Sequence, residues 1–339
     1  MSIIQDCITA YLPSKRKLSN GWITFNAVCC THVGETVDTK LRGHLKFDPD
    51  GSVNYGCFNC GFKFKHQVGQ TVSFKFKKFL RWLNVDDNEI VRISFEALRE
   101  REIQIAIGVQ PPPKEHVDIT FEPKDLPPHA LTFHELALLL DEHKTPFPSD
   151  FVDVVKYLHS RKIDTNKYDF YWSPNSLDEM YERLIIPFTW KNEIIGYTAR
   201  SINPNTIPKY KMEIDTGYVF NIDKQHANWK FVIVSEGPFD AMSIDGVAVL
   251  HNEVSKKQID VIEDLDREIV VVPHWDDPGS KLIDVAINNG WSVSFPTWSE
   301  KCKDINEAVI KYGKLFVLKD IVENIETSKL KIRLRKMYA

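Results

Sequence analysis

The chain has 339 residues, too many for one ordinary domain, so two or three domains are expected. Its 43 Lys and Arg residues nearly balance its 47 Asp and Glu residues, and the formal net charge of −4 excludes a globally basic nucleic-acid binder. No apolar run approaches the roughly 20 residues that span a bilayer, and the amino terminus lacks the features of a signal peptide. We therefore expect a cytoplasmic protein without a membrane partner, in which the six cysteines are thiols or metal ligands.

Near the amino terminus, four potential zinc ligands form two pairs, with two residues between the members of each pair: Cys29, His32, Cys57 and Cys60. Two such pairs complete a tetrahedral site for one structural zinc ion. Cys30 is an alternative to Cys29, although the two-residue spacing favours Cys29. Residues 41–55 have the pattern of a β-hairpin around a turn. The sequence therefore predicts a β-rich zinc ribbon.

Lysine and aromatic side chains crowd residues 58–82, directly after the second ligand pair. This alternation suits single-stranded nucleic acid, because cations follow the phosphates and bases stack on the rings. An amphipathic element with core aromatics and solvated lysines accounts for the pattern equally well. Ribbon and basic segment together favour a module that reads a nucleic-acid template.

Residues 1–100 are predicted to form this template-binding domain, and residues 101–146 a linker. The charged helical pattern ends near Arg101, and proline clusters follow at residues 111–113 and 127–128. Neither a helix nor a central strand continues through such clusters, which is why the segment is interpreted as a linker.

Residues 147–229 have the pattern of a small α+β unit, with one amphipathic helix and two strands: residues 151–162, 184–189 and 193–200. Arg200 ends the second strand, and Lys209 lies in a predicted loop at Pro208–Lys211. Cations placed there can neutralise triphosphates or a nucleic-acid backbone that neighbouring carboxylates would repel.

Two apolar strand patterns, at residues 231–234 and 269–272, are each followed by acids, and a further acid comes later: Glu236, Asp240, Asp276, Asp277 and Asp304. The carboxyl ends of parallel strands meet at one crevice, where open α/β sheets bind ligands. Clustered carboxylates repel one another, and a divalent cation relieves that repulsion. Helix capping is the alternative for any single acid. The pattern predicts a metal-dependent α/β core over residues 230–312.

Residues 313–339 are predicted to form a final helix and a basic tail. Leu330, Ile332 and Leu334 would share one face of the tail if it is extended. Helical spacing at residues 315–327 gives the alternative that the tail continues that helix.

The order of these motifs resembles that of the bacterial-type (DnaG-like) DNA primases over nearly the whole chain. Beyond the ribbon, the shared motifs are Tyr157-Leu158-x-x-Arg161, Ile186-Pro187-Phe188, Gly196-x-x-x-Arg200, Pro208-Lys209-Tyr210, Glu236-Gly237-x-x-Asp240 and Lys303-Asp304-x-Asn306. In length and basic carboxyl terminus the chain looks most like the stand-alone primases of T-even-like phages. The resemblance implies a Toprim catalytic fold, a largely parallel sheet with flanking helices, preceded by a small basic subdomain that guides template and primer.

The resemblance further implies a DNA-directed RNA polymerase that makes short RNA primers on single-stranded DNA for lagging-strand replication. Ribonucleoside triphosphates would be its substrates and Mg²⁺ its catalytic metal, with Mn²⁺ as an alternative. Arg200 and Lys209 would position phosphates. Glu236, Asp276 and Asp304 would be the main metal ligands. Asp277 would be a further candidate ligand, and Asp240 would support the site. A separate hexameric replicative helicase is the expected partner, with the basic tail as its candidate docking element, in the host cytoplasm if the protein is phage-encoded.

One position departs from the family pattern. Family members carry Asp-x-Asp-x-x-Gly where this chain has His274 at the first acidic position. Because histidine is a poor Mg²⁺ ligand, either Asp277 compensates, one metal is held more weakly, or the site favours Mn²⁺. Two alternatives stay open. One is another Toprim enzyme, a topoisomerase or nuclease, against which the ribbon and the Pro-Lys-Tyr loop argue. The other is a non-catalytic zinc-ribbon DNA-binding or helicase-accessory protein, which His274 motivates.

Overall fold

The structure is a computed structural model, and it describes residues 3–337 with the exception of residues 15, 34, 111, 113–118, 174–179, 181, 252, 275–276 and 301. Three five-stranded sheets organise the described residues. Among these residues, no helix combines the length and the apolar character that crossing a bilayer requires.

The amino-terminal unit is an antiparallel meander flanked by helices. Its strands are β1 (Arg16–Ser19), β2 (Trp22–Phe25), β3 (Gly43–Phe47), β4 (Val53–Cys57) and β5 (Lys63–His66), and its helices are α1 (Ile3–Tyr11), α2 (Phe74–Trp82) and α3 (Asp87–Ala106). Each strand pairs with the next along the chain. Gly51, at a φ of +97°, closes the β3–β4 turn where a side chain would be strained. The predicted hairpin is confirmed.

Helix α2 decides between the two interpretations of the lysine- and phenylalanine-rich segment. Phe76 and Phe79 are fully buried in the core of the amino-terminal unit, so their rings offer no stacking surface to a ligand. Lys75 reaches out of the unit and pairs with Glu263 at 2.7 Å. For α2, the amphipathic interpretation is therefore the correct one, and its cations attach this unit to the rest of the chain.

The middle sheet is antiparallel in the order β10-β9-β8-β7-β6. Its strands are β6 (Leu131–Thr132), β7 (Tyr171–Trp172), β8 (Arg183–Trp190), β9 (Glu193–Ser201) and β10 (Tyr210–Glu213), with helices α4 (Phe133–Glu142) and α5 (Ser149–Ser160). The predicted loop at Pro208–Lys211 is wrong in its second half, because Tyr210 opens β10 opposite Arg200. Gly196 permits this pairing, since a Cβ at that position would lie 2.2 Å from the Glu213 carbonyl oxygen.

The predicted linker over residues 101–146 is wrong at both ends. Helix α3 continues to Ala106, and α4 begins at a capping box formed by Thr132 and Glu135. Leu136 is buried in the same core as the middle sheet. Pro127 and Pro128 lie outside helices, but the apolar residues of α4 after them belong to the folded unit; most of the earlier proline cluster lies outside the described residues.

The third sheet has the order β12-β11-β13-β14-β15. Its strands are β11 (Phe231–Ser235), β12 (Val247–Ala248), β13 (Glu268–Val271), β14 (Ser292–Ser294) and β15 (Ile325–Glu326). The first four are parallel, and β15 is antiparallel to β14. Its helices are α6 (Pro238–Ile244), α7 (Lys256–Asp264), α8 (Asp277–Asn289), α9 (Ile305–Tyr312), α10 (Lys314–Glu323) and α11 (Lys329–Met337). Residues 232–234 of β11 and 269–271 of β13 are apolar because both faces of the sheet are covered there.

One hydrophobic core runs through the middle and third sheets, so these two sheets form a single packed body. The amino-terminal unit has a separate core. The described residues among those predicted to be catalytic therefore lie in the larger body, and the amino-terminal unit is attached to it by contacts such as the hydrogen bond from the partly buried Lys78 to the Gly290 carbonyl oxygen.

The basic tail forms α11, which is neither extended nor a continuation of α10, because β15 lies between the two helices. Ile332 is 1% exposed, and Lys336 donates to Asp284 on α8 at 2.6 Å. Leu330 and Met337 stay exposed. The tail is thus a packed element with an accessible apolar edge.

A pair of leucine truncations on α4 tests whether this segment is folded. Leu136 is 2% exposed and Leu138 is 58% exposed on the same helix. Leu136→Ala should lower the free energy of unfolding by about 2–5 kcal/mol, because it leaves a cavity in the core. Leu138→Ala should change it by less than about 0.5 kcal/mol. Urea unfolding of the full chain measures both, and equal effects would mean that α4 is not packed as described.

Candidate active site and zinc centre

Four cysteine sulfur atoms in the amino-terminal unit lie within 4.8 Å of one another: those of Cys29, Cys30, Cys57 and Cys60. The Cys29 and Cys60 sulfurs are 3.3 Å apart, and those of Cys30 and Cys57 are 3.5 Å apart. Four thiolates around a tetrahedral zinc ion, each about 2.3 Å from the metal, would be roughly 3.8 Å apart. The cluster therefore fits one zinc ion after a small expansion.

Cys30 occupies the metal-ligand position that the sequence analysis assigned to His32. Cys29 and Cys30 enter a single 3₁₀ turn, and both sulfurs reach the cluster. The His32 ring instead stacks on Trp82, with centroids 4.9 Å apart and planes at 9°. Burial lowers the pKa of His32, as expected for a neutral packed ring. The prediction of His32 as a ligand is thus corrected, and the choice between Cys29 and Cys30 is resolved by the presence of both.

Polar groups around the cluster can stabilise thiolates. The Tyr55 hydroxyl lies 3.2 Å from the Cys29 sulfur. Asn59 directs its backbone N–H at Cys57 and its side-chain amide at Cys30, each at 3.4 Å. Such donors orient metal ligands and reduce the negative charge on sulfur. Tyr55 and Asn59 were not identified as functional residues from the sequence. The one signal in the sequence was that Asn59, between Cys57 and Cys60, is polar.

An exposed stacking surface, formed by Trp22, His44 and Phe58, lies beside the zinc cluster. Phe58 is 79% exposed, and its ring stacks on His44 with centroids 4.1 Å apart. The His44 ring in turn contacts the edge of Trp22. This surface borders a cleft of about 750 Å³ that also takes in the exposed Lys63 and Lys65, together with four acidic residues between positions 260 and 266. Rings and cations therefore coincide here, as the sequence pattern indicated.

The acidic site is built at one edge of the third sheet. Glu236 and His274 follow the neighbouring parallel strands β11 and β13. The His274 Nε2 atom lies 2.9 Å from Asp240 Oδ2, and its Nδ1 atom lies 3.6 Å from Glu236 Oε2. The backbone N–H of His274 also donates to Glu236 at 3.3 Å. The structure thus brings these two predicted acids together through the residue that departs from the family pattern.

The charge of His274 is controlled by its surroundings. Burial alone would lower the pKa of His274, but the hydrogen bond to Asp240 and the negative charges of Asp240, Glu236 and Asp304 outweigh it and raise this pKa to about 9. At neutral pH the ring is an imidazolium ion between two carboxylates. It therefore supplies positive charge where the acids would otherwise repel one another.

Asp304 joins the same edge from the start of α9. Its Oδ1 atom accepts the backbone N–H of Glu307 at 2.8 Å, so the helix-capping alternative also holds for this acid. Burial and the negative charge of Asp240 raise the pKa of Asp304. Asp276 lies outside the described residues, and for Asp277 only the backbone is described, so their predicted roles stay predictions.

Both carboxylate oxygen atoms of Asp240 have hydrogen-bond partners within the protein. Asp240 uses one oxygen for His274 and the other for the backbone N–H of Asn306, at 3.0 Å. This engagement fits the supporting role predicted for Asp240. Among the described residues, only the four cysteines are close enough to form a group of three or more metal ligands. The carboxylates fit a hard divalent cation by their chemistry, with Glu236 and Asp304 as the described candidates.

Arg200 is nearly buried on β9, facing the acidic edge. Its guanidinium lies over three rings, with centroid distances of 5.2 Å to Tyr157, 4.9 Å to Tyr210 and 5.5 Å to Phe239. Its Nε atom has no hydrogen-bond partner in the described part of the chain. Burial lowers the pKa of Arg200, but an arginine stays charged. A buried cation with an unused donor is suited to an anionic ligand.

Lys209 lies next to Arg200 on an exposed loop held by Arg183. The buried Arg183 guanidinium donates to the carbonyl oxygens of Pro208 at 2.8 Å and Lys209 at 3.3 Å. The positive charge of Arg200 lowers the pKa of Lys209, with smaller contributions from burial, Lys303 and Arg161. Both predicted cations therefore lie at one site.

Arg161 is a functional candidate that residue-level reasoning did not single out. Its guanidinium lies 5.3 Å from the Tyr157 ring centroid and 5.5 Å from that of Phe239, the same two rings that Arg200 contacts. The only signal in the sequence was its place in a family motif. Two guanidinium groups therefore share one aromatic support beside the acids.

No protein-family model matches the sequence, and no curated protein matches it. Solved structures do match. The chain is similar to the DnaG primase catalytic domain bound to single-stranded DNA, with 17% identity, a TM-score of 0.46, and coverage of 55% of this chain and 76% of that chain. It is similar to the RNA polymerase domain of Mycobacterium tuberculosis primase DnaG, with 19% identity, a TM-score of 0.47, and coverage of 56% and 80%. It is also similar to the zinc-binding and RNA polymerase domains of Aquifex aeolicus primase, with 18% identity, a TM-score of 0.44, and coverage of 94% and 82%.

Metal analysis tests the corrected ligand set. The purified protein should contain about one zinc ion per chain, and Cys30→Ser should lose it, because the site then has three thiolate ligands. His32→Ala should keep the zinc, since its ring packs on Trp82 and not on the cluster. Zinc loss in His32→Ala together with zinc retention in Cys30→Ser would restore the ligand set that the sequence suggested.

Proposed function

We propose that the protein is a DnaG-type DNA primase, which joins ribonucleoside triphosphates into short RNA primers on a single-stranded DNA template. The observation that supports this most is the meeting of an acidic strand edge with a group of cations. The acids are Glu236, Asp240 and Asp304, and the cations are Arg161, Arg200, Lys209 and Lys303. Nucleotidyl transfer needs both, because metal-binding carboxylates repel the triphosphate unless neighbouring cations neutralise it.

Arg161 and Arg200 would hold the triphosphate. Their guanidinium groups are supported by Tyr157 and Phe239, so they stay in place before the ligand arrives. Phosphate contacts made by preorganised, partly buried arginines are stronger than those of mobile surface lysines. Lys209, on the exposed loop, would extend the cationic surface toward the template or primer backbone.

A divalent cation, Mg²⁺ or Mn²⁺, would be held by Glu236 and Asp304, with Asp276 and Asp277 as further predicted ligands. When bound, it would favour attack by the primer 3′ hydroxyl and stabilise the leaving pyrophosphate. His274 already contributes positive charge between Glu236 and Asp240. Because a metal-bound histidine must be neutral, the imidazolium of His274 would act through its charge and would not itself ligate either metal.

The amino-terminal unit would read the template. Zinc would be structural, held by the four clustered cysteines, and would keep the adjacent stacking surface of Trp22, His44 and Phe58 in position. Bases of single-stranded DNA would stack on these rings while Lys63 and Lys65 contact phosphates. The further assignments, a Toprim catalytic fold and a phage-type primase that works with a separate helicase at the lagging strand, are part of this proposal.

Replacement of one acid tests the catalytic edge. Glu236→Gln should lower primer synthesis by at least about a hundredfold while DNA binding stays nearly unchanged, because it removes a charge from the metal site alone. Glu193→Gln, at an exposed position on β9, is the matched control and should retain full activity. Wild-type rates of ribonucleotide incorporation in Glu236→Gln would remove Glu236 from the mechanism.

Exposed residues on α11 test the proposed helicase contact. Deletion of the tail would also remove the buried Ile332, so point changes are the cleaner test. Leu330→Ser with Met337→Ser should leave priming by the isolated protein unchanged and lower stimulation by the cognate replicative helicase about fivefold or more. Leu315→Ser, at a position on α10 that is 85% exposed, is the control. Full stimulation of the α11 variant would place the contact elsewhere.

A further inference from the structure

We propose that Asn306 is a positioning residue that fixes the Arg161 guanidinium relative to the Asp240 carboxylate. It would thereby set the geometry between the cations that bind the triphosphate and the acidic edge. The inference deepens the proposed function, because it says how two halves of one site are held in register.

Asn306 is 0% exposed, and its backbone N–H and both polar groups of its side-chain amide form hydrogen bonds. Its backbone N–H donates to Asp240 Oδ1 at 3.0 Å. Its side-chain amide donates to the Arg161 carbonyl oxygen at 2.9 Å and to Ser243 Oγ at 2.8 Å. Its side-chain oxygen accepts from Arg161 Nη1 at 3.0 Å. Asn306 thus contacts the backbone and the guanidinium of Arg161 together with the supporting acid.

The chemistry of these contacts requires an amide. The side chain must donate to a carbonyl oxygen and accept from a guanidinium at once, which a carboxylate or an aliphatic group cannot do. The Ser243 hydroxyl donates its proton to the Phe239 carbonyl oxygen at 2.7 Å, so toward Asn306 it can only accept. Aspartate at position 306 would lose two donated bonds and place another negative charge beside Asp240.

The hydrogen bonds of Asn306 connect the part of the body around the middle sheet with the part around the third sheet. Arg161 ends α5, beside the middle sheet, whereas Ser243 and Asp240 lie on α6, after the first strand of the parallel sheet. Arg161 also shares its aromatic support with Arg200, and two like charges that close together separate unless each is anchored. Asn306 provides the anchor for Arg161, and the same residue orients the acid.

The test combines substitution with a double-mutant cycle. Asn306→Ala should raise the KM for ribonucleoside triphosphates roughly tenfold, because Arg161 loses a buried charge-assisted partner, and should lower kcat less than KM rises. Arg161→Ala should raise the KM at least as much, and the double variant should be no worse than Arg161→Ala by more than about twofold. Asn205→Ala, at an exposed position, is the control for an asparagine outside the network.

A purely structural role would lower the unfolding midpoint of Asn306→Ala without coupling to Arg161, so additive effects or an unchanged KM would overturn the inference. Asn306→Asp keeps the volume and the acceptor for Arg161 but loses the two donated bonds, so its KM should rise less than that of Asn306→Ala; if neither variant folds, Ser243→Ala, which removes one partner of the amide, should raise the KM about threefold. Calorimetric binding of inorganic tripolyphosphate to the full chain separates the two claims. If the wild-type protein makes no primers but binds tripolyphosphate more tightly than Asn306→Ala does, the proposed function is refuted and the positioning role is supported. If the wild-type protein and Asn306→Ala bind tripolyphosphate equally well, the positioning role is refuted.

Discussion

Repulsion between like charges is the constraint on which the rest of this site depends. Parallel strands β11 and β13 deliver Glu236 and His274 to one edge, and Asp240 and Asp304 lie close enough to shift the pKa of His274. Buried carboxylates without compensation would be protonated or would push the strand ends apart. The imidazolium of His274 and the surrounding backbone N–H groups supply that compensation.

The positively charged groups of the site also repel one another. Arg161 and Arg200 lie on the same two rings, and the pKa of Arg200 is lowered by burial and by Arg161. Aromatic faces stabilise them without neutralising them, which leaves their charge for a ligand. The acids and the cations of this site therefore lie close together, and each set has its own support.

The architecture divides these tasks. The middle and third sheets share a core and hold the acids and the arginines rigidly. The amino-terminal unit has its own core and reaches the body through contacts such as the Lys75–Glu263 ion pair. An ion pair of partly exposed side chains contributes little to stability, about 0–1 kcal/mol. Further contacts, such as the hydrogen bonds from Lys78 to the Gly290 carbonyl oxygen and from the Phe74 backbone N–H to Asp266, hold the unit against the body.

Local sequence patterns predicted some elements and site residues correctly and failed to predict others. The β3–β4 hairpin and the strands before Glu236 and His274 were predictable, because alternation, apolar runs and turn residues act over short distances. His32 was wrongly predicted as a ligand in addition to Cys29, because its ring stacks on Trp82, a residue of another element, and Cys30 completes the cluster instead. The pairing of Asn306 with Arg161 joins residues 145 positions apart, which no local pattern can reveal.

The most direct test of the account is ribonucleotide incorporation by the full chain on circular single-stranded DNA, with Mg²⁺ or Mn²⁺ as the metal. Short RNA oligomers whose formation requires the template, the triphosphates and the divalent cation are the predicted product. Nicking or relaxation of DNA would instead indicate another metal-dependent DNA enzyme. Binding of the DNA without any RNA product under either metal would contradict the proposal that the acidic edge is catalytic.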